Sequence, residues 1–156
     1  MTAEWTLQDL ISPELGVQVI GRLSHKHIKG LTADSREVRP GFIYAALQGQ
    51  KFDGHMFIQD ALRNGAEAVL CADDTDSASF RLGTVPLLIS AEPRKTFAHL
   101  AARFYRAAPE TVVAVTGTNG KTSVVHYVQE LWTALGAKGA SLGTLGVVSP
   151  GRVRDG

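Results

Sequence analysis

No other stretch constrains the fold as much as Val112-Val113-Ala114-Val115-Thr116-Gly117-Thr118-Asn119-Gly120-Lys121-Thr122-Ser123. Its opening is a short, continuous β-branched run, the pattern of a strand buried on both faces of a parallel sheet. Gly117 and Gly120 then let the backbone bend back and aim several N–H groups at one point, which a Cβ would obstruct. The helix predicted to start at Lys121 presents unpaired N–H groups and a positive dipole end. Lys121 adds a point charge suited to phosphate, and the Thr122 hydroxyl is a candidate Mg²⁺ ligand. Strand, glycine loop and helix together read as a phosphate cradle. Val115 stands where the general G-x-x-x-x-G-K-[ST] pattern has glycine, so this loop is the shorter form. The competing reading is an ordinary strand-turn-helix with a solvated lysine.

The chain has 156 residues, 44% hydrophobic and 20% charged, which suits a soluble chain with its own core. A formal net charge of +1 gives no electrostatic case for nucleic acid or a membrane surface, so an anionic ligand has to be held locally. The lone Cys71, within Ala68-Val69-Leu70-Cys71, excludes an intrachain disulfide and reads as a small buried strand residue in a reducing compartment. The N-terminus lacks a basic region followed by an apolar core, and no apolar run approaches the roughly 18 residues of a membrane span. A cytoplasmic protein is expected.

In chain order, Trp5 to Ile11 has helical spacing and stops at Ser12-Pro13. A strand over Val17 to Ile20 precedes a basic turn in which His25 and His27 read as exposed residues rather than metal ligands. Leu31 to Leu47 reads as strand, turn, strand, with Asp34-Ser35-Arg36 at the first strand's end. That triplet is either the seat of a polar ligand or an Asx-type turn with a surface arginine. The loop Gln48 to Gly54 carries amides, Lys51 and Phe52, a mixture able to hold a base and its phosphates. Asp53 is positioned to cap a helix from Met56 to Asn64, with His55 as a solvated residue in its first turn. Ala68 to Cys71 and Pro86 to Ile89 are further strands, separated by a solvated acidic loop around Asp73 to Ser77. Pro93 opens a helix through about Ala107, burying Phe97, Leu100, Ala101, Phe104 and Ala108 and leaving Arg94, Lys95, Arg103 and Arg106 solvated.

A domain boundary is expected near Pro109, giving domains over 1–109 and 110–156. Val124, Val128, Leu131 and Leu135 keep helical spacing up to Gly136, and Lys138 to Leu142 reads as a strand returning beside the first, one βαβ unit. Nucleotide-binding sheets have about five strands, so the chain reads as the front part of a larger enzyme. Its open sheet edge would lean on the first domain or pair with another chain.

The segments Thr32-Ala33-Asp34-Ser35-Arg36, Pro40 to Gly49 and Phe52-Asp53-Gly54-His55, together with Val115 to Ser123, resemble the Mur ligases of peptidoglycan synthesis. Within that family, Gly117 to Thr122 with Gly143-Thr144-Leu145-Gly146 is most similar to members that add the third stem-peptide residue, and next to those that add D-Ala-D-Ala. The resemblance implies an α/β fold: a small N-terminal α/β domain binding a UDP-substrate, followed by the first βαβ unit of a P-loop parallel-sheet ATP-binding domain, truncated here. It implies that UDP-MurNAc-L-Ala-D-Glu is held by Ala33, Ser35, Gln50, Lys51 and Phe52. Gln50 and Lys51 depart from the His-Gln of some members. ATP would lie on Gly117, Thr118, Asn119, Gly120, Lys121, Thr122 and Ser123, with Lys121 catalytic at the moving phosphoryl and Thr122 on Mg²⁺. The implied chemistry is an acyl phosphate on the D-Glu carboxylate, attacked by the amine of meso-diaminopimelate or L-lysine. The site for that amino acid, a further magnesium carboxylate and a carbamylated lysine fall outside these 156 residues, so no ligation by this chain alone is expected. Two other readings are a stand-alone UDP-sugar-binding module and a small kinase or other P-loop NTPase.

Overall fold

The computed structural model describes residues 5–23, 25–49, 52–73, 80, 82–149 and 151–154. Most of the acidic loop expected around Asp74 lies outside them, as do Gln50 and Lys51. The chain divides into two compact units, Met1–Ala108 and Pro109–Gly156.

The first unit is built on β2 (Gln18–Ile20), β4 (Gly30–Thr32), β5 (Phe42–Ala45), β6 (Ala66–Ala72) and β7 (Leu87–Ser90), ordered β2-β7-β6-β5-β4. The four strands β4 to β7 are parallel, and β2 closes one edge antiparallel to β7. A separate two-residue pair joins β1 (Trp5–Thr6) to β3 (His27–Ile28). Both faces of the sheet are covered, which is why its central strands read as continuous apolar runs. Along β5, Ile43 and Ala45 enter a cluster with Leu7, Leu10 and Leu100, whereas Tyr44 and Ala46 enter a second with Ile58 and Ala61. A register shift sets Phe42 opposite Ala66 but Ile43 opposite Ala68, so β6 carries one extra residue there. Beyond it Ala68 and Leu70 share the first cluster, and Val69 and Cys71 the second.

Several elements differ from expectation for local reasons. The first helix, α1, is confined to Leu7–Leu10 because Thr6 and Asp9 form a capping box. The chain before the cap is extended, and His27 pairs with Thr6 in a strand rather than sitting in a turn. The segment after Asp53 begins as a 3₁₀ turn, Gly54–Phe57, before α2 (Ile58–Arg63), because the Asp53 carboxylate accepts from the His55 N–H and starts the turn early. The third helix, α3 (Pro93–Tyr105), opens on Pro93 as expected and stops at Arg106, whose φ of 54° is left-handed. Ala108 therefore lies beyond the helix and is exposed, outside the stripe of Phe97, Leu100 and Phe104.

The second unit holds α4 (Lys121–Ala134) and an antiparallel meander of β8 (Ser141–Gly143), β9 (Gly146–Ser149) and β10 (Arg152–Arg154). The strand expected over Val112 to Val115 is absent, and Val112 and Val113 are 76% and 53% exposed. A parallel strand exists only within a ladder, and among the described residues β8 pairs antiparallel with β9 instead. The expected parallel βαβ pairing is therefore not formed here. The helix after the loop does form, and Gly136 beyond its end has φ 78°. Its apolar positions Val124, Leu131 and Leu135 stand exposed.

Candidate functional site

Two of the expected site residues follow β4, and the remainder of the expected substrate group follows β5. Ligands of open parallel sheets gather at the carboxyl ends of the strands, so these loops share the favourable edge. Beyond Thr32, Ala33 is exposed and Ser35 is buried. Asp34 accepts from the backbone N–H of Arg36 and from its guanidinium, Nε to Oδ1 at 2.9 Å and Nη2 to Oδ2 at 2.5 Å. Those guanidinium bonds push the Asp34 carboxyl down to about 2. Asp34 and Arg36 thus satisfy each other, the Asx-turn arrangement, with the Arg36 side chain 87% exposed. The Ser35 carbonyl accepts from Asn64 Nδ2 at 2.9 Å. Ser35, Arg36, Asp60, Arg63 and Asn64 line a cavity of about 250 Å³.

The loop after β5 is closed on itself. Gln48 and Asp53 form an isolated antiparallel bridge, Gly49 N donates to Phe52 O at 2.9 Å, and Gly54 N donates to Leu47 O at 3.0 Å. Beneath it, the buried Tyr44 hydroxyl donates to Gly54 O at 2.9 Å, and burial pushes its ionisation up to about 12. The loop presents Phe52, 68% exposed and edge-on to Phe57 at 6.4 Å between centroids. His55 is not merely solvated: its Nδ1 lies 2.6 Å from Asp53 Oδ1. Arg94, at the start of α3, is also no free surface cation, since its guanidinium donates to the Gln48 carbonyl.

In the second unit, Gly117 at φ 147° and Gly120 at φ 78° hold backbone angles that favour glycine, and Gly120 caps α4. The first intrahelical bond runs from Val124 N to Gly120 O, leaving the N–H groups of the first turn outside the helical ladder. Lys121 folds back over the loop, its Nζ 2.5 Å from Gly117 O and 3.3 Å from Thr118 O. The Thr122 hydroxyl meets that of Thr144 at 3.2 Å. Thr144 sits at the tip of the β8–β9 hairpin, closed by the Gly143–Gly146 pair with Gly146 at φ 79°. Sequence reasoning named the Gly-Thr-Leu-Gly segment but not its hairpin, although two residues between glycines is a hairpin signal. The helix and hairpin enclose a mostly apolar cavity of about 220 Å³, with Lys121, Thr122 and Thr144 on its lining.

Residues 27–105 match the family described as "Mur ligase family, catalytic domain". A curated relative, the UDP-N-acetylmuramoyl-L-alanyl-D-glutamate--2,6-diaminopimelate ligase of Rhizobium meliloti (strain 1021), is 43% identical over 92% of this chain and 29% of its own length. A solved structure of a ligase of that same name superposes with a TM-score of 0.70 at 25% identity, covering 96% of this chain and 30% of the other. The MurF ligase of Thermotoga maritima, solved with ADP, gives a TM-score of 0.50 at 34% identity over 67% of this chain and 23% of its own. The chain thus spans less than a third of the length of the relatives it matches. Among the described residues no helix is long and apolar enough to cross a membrane.

Proposed function

Because the chain belongs to the Mur ligase family, we propose that it is the N-terminal portion of an ATP-dependent ligase joining 2,6-diaminopimelate to UDP-MurNAc-L-Ala-D-Glu. The observation that carries this reading is the 43% identity to a ligase of that name, sustained over 92% of the chain and so across both candidate sites. The first unit is the UDP-substrate module. Ser35 and the closed loop ending at Asp53 supply its polar contacts, and the exposed Phe52 ring supplies an apolar face for a planar base.

The second unit contributes the phosphate cradle of a P-loop ATP-binding domain. The glycine conformations and the open first turn of α4 fit polyphosphate, and the exposed Thr122 hydroxyl fits a hard cation. Lys121 Nζ would exchange its contacts with the loop carbonyls for the transferred phosphoryl oxygens, stabilising charge where it develops. Magnesium held through Thr122 would neutralise charge on the same phosphates. In the complete enzyme the D-Glu carboxylate takes the phosphoryl group, and the incoming amine displaces phosphate to form the amide. The protein's part is positioning and electrostatics. We place the enzyme in the cytoplasm.

The test is a calorimetric and thermal-shift titration of this chain with UDP-MurNAc-L-Ala-D-Glu, with Mg-ATP run in parallel. A ligand confined to the native state raises apparent stability by about 2.7 kcal/mol at a hundredfold excess over Kd. Stabilisation by the UDP-substrate is expected. Stabilisation by Mg-ATP alone would overturn the substrate assignment, and turnover in a coupled-phosphate assay would overturn the view that these residues bind without ligating.

A further inference from the structure

The contact between Thr122 and Thr144 is a polar link from the cradle's candidate metal ligand to an element that the cradle motif does not include. A threonine hydroxyl has one proton and two lone pairs. To ligate a cation it must turn a lone pair outward and hand its proton to an acceptor elsewhere. Near the start of a helix the usual acceptor is the carbonyl four residues back. For Thr122 that is Thr118 O, which here receives Lys121 Nζ at 3.3 Å, while Gly117 O receives the same ammonium at 2.5 Å. Among the described residues the Thr122 hydroxyl bonds not to that carbonyl but to the Thr144 hydroxyl, 3.2 Å away.

The hairpin that carries Thr144 is itself anchored to α4. Gln129 Oε1 accepts from Ser141 Oγ at 2.7 Å, and Gln129 Nε2 donates to Val148 O at 3.2 Å, so one side chain holds both strands. Gly143 and Gly146 close the tip, and its Thr144 meets Thr122 in the first turn of the helix that Gln129 belongs to.

We propose that Thr144 is a positioning residue of the nucleotide site: it takes the proton of Thr122 and so fixes a lone pair of that hydroxyl toward the metal. The proposal rests on reading Gly117 to Ser123 as a phosphate cradle. It makes the Gly143-Thr144-Leu145-Gly146 hairpin a working part of that cradle rather than a connection. Outer partners of metal ligands change metal affinity by roughly 10- to 100-fold when removed, and that is the size of effect expected here.

The experiment is isothermal titration of the chain with ADP, once with Mg²⁺ and once with EDTA. Thr144→Val removes the acceptor at constant shape, and Thr144→Ser restores a hydroxyl. Thr144 is exposed, so the core is untouched. The expected result is that Thr144→Val loses roughly 10-fold or more of the magnesium-dependent gain in affinity, keeps its affinity in EDTA, and is rescued by Thr144→Ser. Thr122→Val should lose the same gain, and the double variant should lose no more than Thr122→Val alone. An unchanged magnesium gain in Thr144→Val, an equal loss with and without magnesium, or additive losses would overturn the proposal while leaving the cradle in place. No ADP binding by the unsubstituted chain under either condition would overturn the cradle reading and this proposal together.

Discussion

Asp53 Oδ1 accepts twice from one residue, from the His55 backbone N–H at 3.0 Å and from the His55 ring Nδ1 at 2.6 Å. The carboxylate thereby ends the substrate loop and starts the turn that leads into α2. Loss of such a cap costs about 0.5–2 kcal/mol. Asp53→Ala should therefore lower stability in urea denaturation by that order. Asp53→Asn, which keeps the acceptor oxygen, should fall between it and the parent chain. Affinity for UDP-MurNAc-L-Ala-D-Glu should drop more than stability does, since the capped turn adjoins the Gln48–Asp53 backbone bridge that closes the loop.

Acid sensitivity should come from the same edge of the sheet. The ordinary carboxyl value is 3.8; hydrogen bonds from Arg36 push Asp34 down to about 2, and those from His55 lower Asp53. A carboxyl depressed by folding adds stability that is fully present above its unfolded value and is lost as pH falls through its folded value. Stability should therefore decline from about pH 4 towards pH 2. Asp34→Asn should flatten that limb without altering the slope near neutrality, a comparison made by denaturant titration across the range.

Gly54 leaves no room for a side chain. A Cβ there would lie 2.7 Å from both the N and the O of Leu47, which are backbone atoms unable to rotate away. Gly54→Ala should cost about 1–3 kcal/mol or more as the loop is pushed off the sheet. Gly49→Ala, blocked by Phe52 O at 2.8 Å in the exposed part of the loop, should disturb substrate affinity more than stability. Chemical denaturation and ligand titration of the two variants separate these effects.

The first unit was legible because its strands are short apolar runs punctuated by Pro, Gly and Asp, and the helix opened by Pro93 was legible down to its first residue. Directions and partners were not. Nothing local distinguishes a hairpin from the parallel pairing of Gly30 with Phe42, which tertiary contacts decide. The Arg94 bond to Gln48 likewise joins residues far apart in sequence, and no spacing rule could find it. In the second unit the loop and helix were legible from glycine placement and period. Val112 to Val115 reads as a buried strand, but burial needs neighbours: Val112 to Ala114 stand exposed and Val115 is half-buried. The Thr122–Thr144 contact depends on a hairpin that returns Thr144 to the helix start, a relation that follows from folding alone.

The same contrast sets how two groups of leucines respond. Leu70 and Leu88 are fully buried in the central strands, whereas Leu135 and Leu142 are 81% and 78% exposed. Leu70→Ala or Leu88→Ala should cost about 2–5 kcal/mol through lost transfer energy and a residual cavity. Leu135→Ala or Leu142→Ala should stay within about 0.5 kcal/mol. Thermal unfolding of the four single variants tests the assignment of the core to the first unit's sheet, and a large loss at Leu135 would show that the α4 stripe is covered in solution.

Lys121 separates binding from folding. Its ammonium is exposed and, among the described residues, bonded only to the loop carbonyls of Gly117 and Thr118. Those bonds orient the cation but hold no core together, so Lys121→Ala should leave the unfolding transition where it is. Bound phosphate, by contrast, loses its nearest point charge, and Mg-nucleotide affinity should fall by at least roughly tenfold, the scale of one charge-assisted hydrogen bond. Lys121→Arg should not restore it. A planar guanidinium presents a rigid fork where the site uses a compact point charge. The ionic-strength dependence gives an independent check: affinity of the parent chain should weaken with added salt, and that slope should be shallower in Lys121→Ala. Equal slopes in the two proteins would mean that Lys121 does not face the phosphates at all.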